Sequence, residues 1–309
     1  VLEQVPEIRQ LADIDTRVLG NVDSSDLTPG HWMDLARAVH EARDTYDGVV
    51  ITHGTDAMTY TASALSYALR DLPFPVILTG SQRPLADIHT DGRANLVGAV
   101  DLALRPIPEV AIYFDGLLLR GNRAVKTSTF AFGAFRSPNF LPLAEVGTEV
   151  RMIAEPLQPA GAFRLEGDFE PAVTSVWLTP GSDGSVLRGL AKSSVRGVLV
   201  GAYGFGNIPV EKPDIADALQ TLTDAGKVVA IGSQARAGQV DLDRYAGGRR
   251  AAGAGAVGIG DMTLEAAVVK LMYLLATCDD TDAVRAALTR SLAGEITEEQ
   301  RPQSLVTQR

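Results

Sequence analysis

Residues 47–60, DGVVITHGTDAMTY, constrain this chain more than any other stretch. Val49, Val50 and Ile51 form a short apolar run with Asp-Gly in front and His-Gly behind, the pattern of a buried strand. The run ends at Thr52. A polar turn follows, His53-Gly54-Thr55-Asp56, and from Ala57 to about Leu69 the spacing becomes helical, with Met58, Ala62, Leu65 and Leu69 on one face. A strand that passes directly into a helix is half of a βαβ unit, and such units build parallel sheets with right-handed crossovers. The turn sets a hydroxyl and a carboxylate at the carboxyl end of a strand. Open α/β sheets bind ligands there, and the first N–H groups of the helix favour anionic groups. Capping of the helix would by itself also account for Asp56.

The same alternation continues in both directions. Residues 1–12 read as an amphipathic helix ended or kinked by Pro6, and a short strand is expected over Asp15 to Leu19. Asp23, Ser24, Ser25 and Asp26 form a polar loop, as Asp and Ser commonly do in turns. Thr28-Pro29 then starts a helix over 30–45 that buries Trp32, Leu35, Ala36, Val39 and Ala42. Val76 to Leu78 is the next buried strand, and Thr79-Gly80-Ser81-Gln82 leaves its carboxyl end. A helix follows from Arg93 to Leu104, then a strand at Val110 to Phe114 that forms a hairpin with Leu117 to Leu119 across Asp115-Gly116. The 120–140 loop, rich in Gly, Ser and Phe, carries Lys126; loops of that length are more often functional than idle.

The proline- and charge-rich stretch 155–172 reads as a linker, which divides the chain into an N-terminal domain, 1–154, and a smaller α/β domain, 173–309. Strands are expected at Val173 to Leu178, Gly197 to Val200 and Lys227 to Ile231, with helices near 184–194, 212–225, 262–277 and 280–291. Residues 253–258, GAGAVG, match the G-x-G-x-x-G spacing, and Asp279 falls about 20 residues later. The lead-in RYAGGRRAA is polar and basic, however, and no strand precedes the glycines, which argues against a dinucleotide site.

Bulk properties narrow the function. A net charge of −10 disfavours nucleic acid and anionic membrane as partners. One cysteine, Cys278, excludes an intrachain disulfide and a cysteine-based zinc site, and four scattered histidines argue against a histidine metal cluster. No apolar run reaches the ~18 residues of a membrane span. No metal is expected.

What remains is a sheet edge with polar groups at three strand ends: Asp23 to Asp26, Thr55-Asp56 and Thr79 to Gln82, with Lys126 able to reach them if the strands lie side by side. Such a set suits a small zwitterion, whose ammonium a carboxylate binds and whose carboxylate hydroxyls and helix N-termini bind. A threonine hydroxyl becomes a nucleophile once its proton is withdrawn, which a neutral lysine oriented by an aspartate can do, with backbone N–H groups to stabilise the oxyanion.

ITHGTDAMTYTASAL, with VDSSDLTP, ILTGSQRP and RGNRAVKTST, resembles the bacterial-type L-asparaginase family, and the likeness continues through AYGFGNIP, SQARAGQVDLDRY and EAAVVKLMYLL. The Asp-Ser-Ser form at 23–25 resembles the cytoplasmic, type I branch. The resemblance implies a larger flavodoxin-like N-terminal domain and a smaller C-terminal α/β domain. It implies hydrolysis of L-asparagine to L-aspartate and ammonia through an acyl-threonine intermediate, without a cofactor; the sequence does not fix the ratio of L-glutamine to L-asparagine use. A homodimer or dimer of dimers is implied as well. By position, Thr55 matches the family's second catalytic Thr, Lys126 the catalytic Lys and Asp56 the Asp that completes the triad; Asp56 also matches the ligand of the substrate ammonium. Asp23, Ser24 and Ser25 match the substrate loop, and Ser81 the position whose backbone faces the substrate amide.

Two departures from the family pattern stand out. The strand ending in Thr-Gly-Gly-Thr, whose last Thr is the usual acylated residue, and the Tyr-bearing lid after it do not occur in this sequence. The expectation is that a strand, lid and connection of about 30–40 residues precede Val1. The Arg and Cys of the effector-asparagine site of some type I enzymes correspond here to Gly201 and Ala235. Three other readings compete: the amidase subunit of a tRNA-dependent amidotransferase, an inactive amino-acid-binding homologue, and an oxidoreductase resting on GAGAVG.

Overall fold

A computed structural model describes residues 3–211 and 214–297. The apolar runs become strands where they find a neighbour. In the first half these are α1 (Pro29–Ala42), β1 (Val49–Thr52), α2 (Met58–Ala68), β2 (Leu69–Arg70), β3 (Val76–Thr79), α3 (Gly92–Ala103), β4 (Val110–Phe114) and β5 (Leu117–Arg120). They continue as β6 (Val125–Lys126), β7 (Phe135–Arg136), β8 (Ala144–Val146) and β9 (Val150–Met152). The main sheet has the order β1-β3-β4-β5-β8-β9. β1, β3 and β4 run parallel; β5, β8 and β9 are added antiparallel, so the sheet is mixed. The Asp115-Gly116 hairpin forms as expected. Both residues have positive φ, 48° and 79°, the geometry a two-residue turn between twisted strands requires.

The second half begins with β10 (Arg164–Leu165), which pairs with β2 and ties the 155–172 stretch to the first domain. Then come β11 (Val173–Trp177), α4 (Ser185–Ala191), β12 (Gly197–Ala202), α5 (Asp214–Asp224), β13 (Val228–Ser233), α6 (Ala246–Gly253), β14 (Val257–Gly258), α7 (Leu264–Thr277) and α8 (Thr281–Leu288). β11-β12-β13-β14 form a parallel sheet. α2 is buried on almost every side because it lies between the first sheet and α7, where Tyr67 Oη donates to the Ala266 carbonyl at 3.2 Å. That wedge merges the cores of the two halves, so the helix that starts at the Thr55-Asp56 turn is fixed by both.

Several expectations are corrected. The helix over 1–12 is a short 3-10 helix at Pro6–Gln10, with residues 1–2 outside the described ones. Pro6 opens it, since its fixed φ suits a first helical position and hinders an interior one. Asp15 to Leu19 is no strand: among the described residues it has no ladder partner, and Val18 is 86% exposed. β1 is half-buried rather than buried, because among the described residues it pairs only with β3 and forms the sheet edge. The helix expected from 212 is described from Asp214, with 212–213 outside the described residues. α6 and β14 were not legible. GAGAVG straddles them, with Gly253 ending the helix and Val257–Gly258 forming the strand. The glycines therefore lead into a strand instead of out of one, the reverse of a dinucleotide turn.

Candidate active site

The site is built on the carboxyl ends of β1 and β3. Gly80 lets these ends close together: a Cβ there would sit 2.3 Å from the His53 carbonyl oxygen. His53 N donates to the Thr79 carbonyl at 2.8 Å, so pairing continues to the first residue of the turn. The His53 ring braces the rest, with Nδ1 2.6 Å from the Gly54 carbonyl and Nε2 2.9 Å from Thr61 Oγ1. Ser24 is buried against the turn, and its Oγ accepts from Ala57 N, at the helix start, at 3.4 Å. Asp56 makes no capping bond. Its carboxylate points elsewhere.

It points to Lys126. The lysine Nζ donates to Asp56 Oδ1 at 2.6 Å and to Thr55 Oγ1 at 2.8 Å, across about 70 residues of chain. The Lys126 side chain is 17% exposed and that of Asp56 is 70% exposed, so the amine lies at the inner wall and the carboxylate at the mouth. β6 and β7, which carry the lysine, form a two-stranded ribbon outside both main sheets. Thr55, Asp56 and Lys126 are thus one hydrogen-bonded group, as their sequence positions alone could not show.

Asp23, Ser24 and Ser25 lie on one short helical turn beside it. Asp23 Oδ1 accepts from Ser25 N at 2.9 Å and Ser25 Oγ at 2.7 Å. Those two hydrogen bonds, backbone first, hold the Asp23 carboxyl below the usual carboxylate range. Ser81 follows Gly80 in a loop shaped by two residues that sequence reasoning did not single out. Asp91 accepts from Gln82 N (2.9 and 3.0 Å) and Arg83 N (3.1 Å), and Asn95 Nδ2 donates to the Gly80 carbonyl at 3.0 Å. Gln82 Nε2 then reaches the Ala131 carbonyl at 3.2 Å, which joins this loop to the one following Lys126. His53, Asp91 and Asn95 act through contacts that only the topology creates; their residue types were the sole signal available.

Burial lowers the pKa of His53, only partly offset by its bond to the Gly54 carbonyl, so the folded protein holds the ring neutral. The sign follows directly. Below the unfolded-state value, about 6.5, the unfolded chain binds the extra proton and the folded one resists it, so stability is present above that pH and lost on acidification. Chemical denaturation of the wild type and of His53→Gln between pH 7.5 and 5.5 checks this. The wild type should lose stability more steeply; parallel curves would refute it.

Chemically, the group offers an amine in contact with a hydroxyl, a carboxylate beside both, and the N-terminal turn of α2. Residue types in this arrangement can supply a nucleophile, a base in reach of it and an anion-stabilising terminus. Residues 1–158 match the family model described as Asparaginase, N-terminal, and residues 172–288 the one described as Glutaminase/Asparaginase C-terminal domain. The chain is 41% identical over 283 residues to L-asparaginase 1 of Escherichia coli strain K12, covering 89% of this chain and 82% of that protein. The solved thermostable L-asparaginase from Thermococcus kodakarensis superposes with a TM-score of 0.92 at 38% identity, covering 96% of this chain and 90% of that one. A glutamyl-tRNA(Gln) amidotransferase component from Aeropyrum pernix is 38% identical over 95% of this chain, which spans 72% of that protein's length.

Proposed function

The chain belongs to the asparaginase family, and from that premise we propose that Thr55, Lys126 and Asp56 carry the proton transfers of its amide hydrolysis. The activity is that of an L-asparaginase, conversion of L-asparagine to L-aspartate and ammonia. One observation supports the assignment above the rest: a single amine held 2.8 Å from a threonine hydroxyl and 2.6 Å from a carboxylate. The Lys126 amine accepts the hydroxyl proton of Thr55, and the oxygen bonds to the side-chain amide carbon of the substrate. N–H groups at the start of α2 face the oxyanion. The C–N bond then breaks, the leaving nitrogen takes the proton from the Lys126 ammonium, and ammonia departs. Water, deprotonated by the same amine, adds to the acyl carbon; the C–O bond to Thr55 breaks, and the Lys126 ammonium returns its proton to Thr55 Oγ1. Asp56 orients the amine and binds the substrate ammonium, while Asp23, Ser24, Ser25 and the backbone at Ser81 hold the rest of the substrate. Thr-Gly-Gly-Thr, whose last residue the family resemblance makes the acylated one, is absent from these 309 residues; within them Thr55 is the hydroxyl that Lys126 holds.

The test is ammonia release from L-asparagine and L-glutamine by the purified protein and by Thr55→Val. Release by the wild type, abolished by the substitution, supports the roles. Equal rates from both proteins would remove Thr55 from the chemistry. Binding of aspartate with no release from either substrate would favour the amino-acid-binding reading. The two substrates differ by one methylene, so a preference of roughly 10–200-fold is expected.

The companion readings are a homodimer or dimer of dimers, supported by the half-exposed Trp177 on the outer strand β11, and a cytoplasmic location, supported by the Asp-Ser-Ser loop. Among the described residues no helix is long and apolar enough to cross a membrane. An effector response is not expected. At Gly201 an added Cβ would meet the Trp177 ring at 2.7 Å, so the tryptophan fills the space a side chain there would need. Losing the charge-assisted donor of that position weakens an effector site by about 1.5–3 kcal/mol. Initial rates should follow a hyperbola in asparagine; a sigmoid would refute this.

A further inference from the structure

The ribbon that carries Lys126 is seated on the core by Val125 and Phe135, the latter against Phe114 with ring centres 4.9 Å apart, but it is short. Each strand is two residues long, and two paired strands are marginal without further packing. The bond from Lys126 to Asp56 ends on a carboxylate at the solvent-facing mouth, where ion pairs constrain geometry weakly. The two stems of the ribbon are better fixed, and both are fixed by the C-terminal domain.

On the entering stem, Arg123 stands three residues before Lys126 and is 1% exposed. Its guanidinium donates to Asp261 Oδ2 at 2.8 Å, to the Gly294 carbonyl at 2.7 Å and to Thr297 Oγ1 at 3.2 Å. On the leaving stem, Asn139 Nδ2 donates to the Asp261 backbone carbonyl at 2.9 Å, and Asn139 Oδ1 accepts from Gly238 N at 2.7 Å. The carboxylate of Asp261 therefore holds one stem and its carbonyl the other. Asp261 is itself fixed: Thr297 donates from N at 2.9 Å and from Oγ1 at 2.6 Å. Burial pushes the Asp261 carboxyl up, but the bonds from Thr297 and Arg123 outweigh it and leave the group below its ordinary range, ionised and able to hold Arg123. Phe140 lies beneath the guanidinium, its ring centre 5.3 Å away.

We propose that Asp261 is a positioning residue for the hydrolysis: by gripping both stems of the β6–β7 ribbon, it sets the Lys126 amine within hydrogen-bond reach of Thr55 and Asp56. The proposal rests on the reading of Lys126 as the proton carrier. Its geometric half can be measured without that reading. Release of the stems would let the ribbon shift on its apolar seat, and a displacement of about 1 Å in a catalytic group can cost on the order of 100-fold in rate.

Asp261→Asn keeps the shape and the backbone carbonyl and removes the charge that holds Arg123. The expected result is a fall in kcat of about 10–100-fold with KM within about threefold, since alignment for chemistry is lost and the substrate contacts are not. The second readout is lysine acetylation by acetic anhydride, mapped by mass spectrometry. The chain has five lysines, and the Lys270 side chain is 0% exposed, so Lys270 stays unlabelled unless the protein unfolds. Lys126 should acetylate several-fold faster in the variant while Lys270 remains silent. Asn139→Ala, which frees the other stem, should move both readouts the same way, and it decides the matter if Asp261→Asn exposes Lys270. Unchanged kcat with unchanged Lys126 labelling in a folded variant overturns the proposal, as does a rise in KM with kcat preserved. If the wild type releases no ammonia, the catalytic reading fails, and the labelling rates alone still decide whether Asp261 positions the amine.

Discussion

Lys126→Met should lower ammonia release by about 10²–10⁴-fold, the usual contribution of a positioned acid–base group. Methionine is unbranched like lysine and keeps most of the stem, so the half-enclosed path from β6 to Thr55 stays filled. Only the amine is lost, and with it the contacts to Thr55 Oγ1 and Asp56 Oδ1. KM should change little if the lysine handles protons instead of binding substrate, because a group that acts in the transition state alone appears in kcat. Steady-state kinetics, with circular dichroism to verify the fold, make the measurement. A KM raised in proportion to the lost kcat/KM, with kcat intact, would recast Lys126 as a substrate ligand.

The largest effect on stability should come from Glu295→Ala. Lys270 and Glu295 form an ion pair at 2.6 Å with both side chains fully buried. Burial pulls the Lys270 pKa down, and the neighbouring carboxylate only partly restores it. Removing one partner of a buried pair leaves an uncompensated charge and costs about 3–5 kcal/mol. Glu295 also accepts from Leu292 N at 2.9 Å and Ala293 N at 2.7 Å, so the same change frees backbone donors in the segment that Arg123 and Asn122 grip through Gly294 and Ala293. The double variant Lys270→Met, Glu295→Gln should retain much more stability. Its neutral amide still accepts from those backbone groups, and no buried charge is left alone. Urea denaturation of the wild type, the single variant and the double variant provides the comparison. A single variant as stable as the double would sink the argument.

The strands and helices that were legible in the sequence are those whose burial is set by their own residues. Val76–Thr79, Val110–Phe114 and Gly197–Ala202 are continuous apolar runs buried on both faces, so any neighbour suffices to make them strands. Val18 and Leu19 failed because an apolar pair becomes a strand only when another strand lies beside it. α6 failed because AGGRRAAG lacks an apolar period, and three of its eight residues are glycine. At the site, the position of Thr55 and Asp56 at a strand end was readable from local pattern. Their meeting with Lys126 was readable only as a condition, that the strands lie side by side, because local pattern does not place residues so far apart in the chain. His53, Asp91, Asn95 and Asp261 were beyond reach for a simpler reason: each works through a bond to backbone or to a residue on another element, and such bonds have no spacing in the sequence.

The position of β1 at the edge of the sheet, among the described residues, has a consequence for isotope exchange. Parallel pairing to β3 on one side means that alternate amides of the strand point into the ladder and outward. Val49 N donates to the Pro75 carbonyl at 2.9 Å and His53 N to the Thr79 carbonyl at 2.8 Å, while Val50 and Thr52 turn their N–H groups to the open side. Deuterium uptake along 49–53 should therefore be staggered, with slow sites at odd numbers and fast sites at even ones. A second chain or segment that paired with this edge would slow the even-numbered sites alone, which makes those two amides direct reporters of anything that docks beside the turn bearing Thr55.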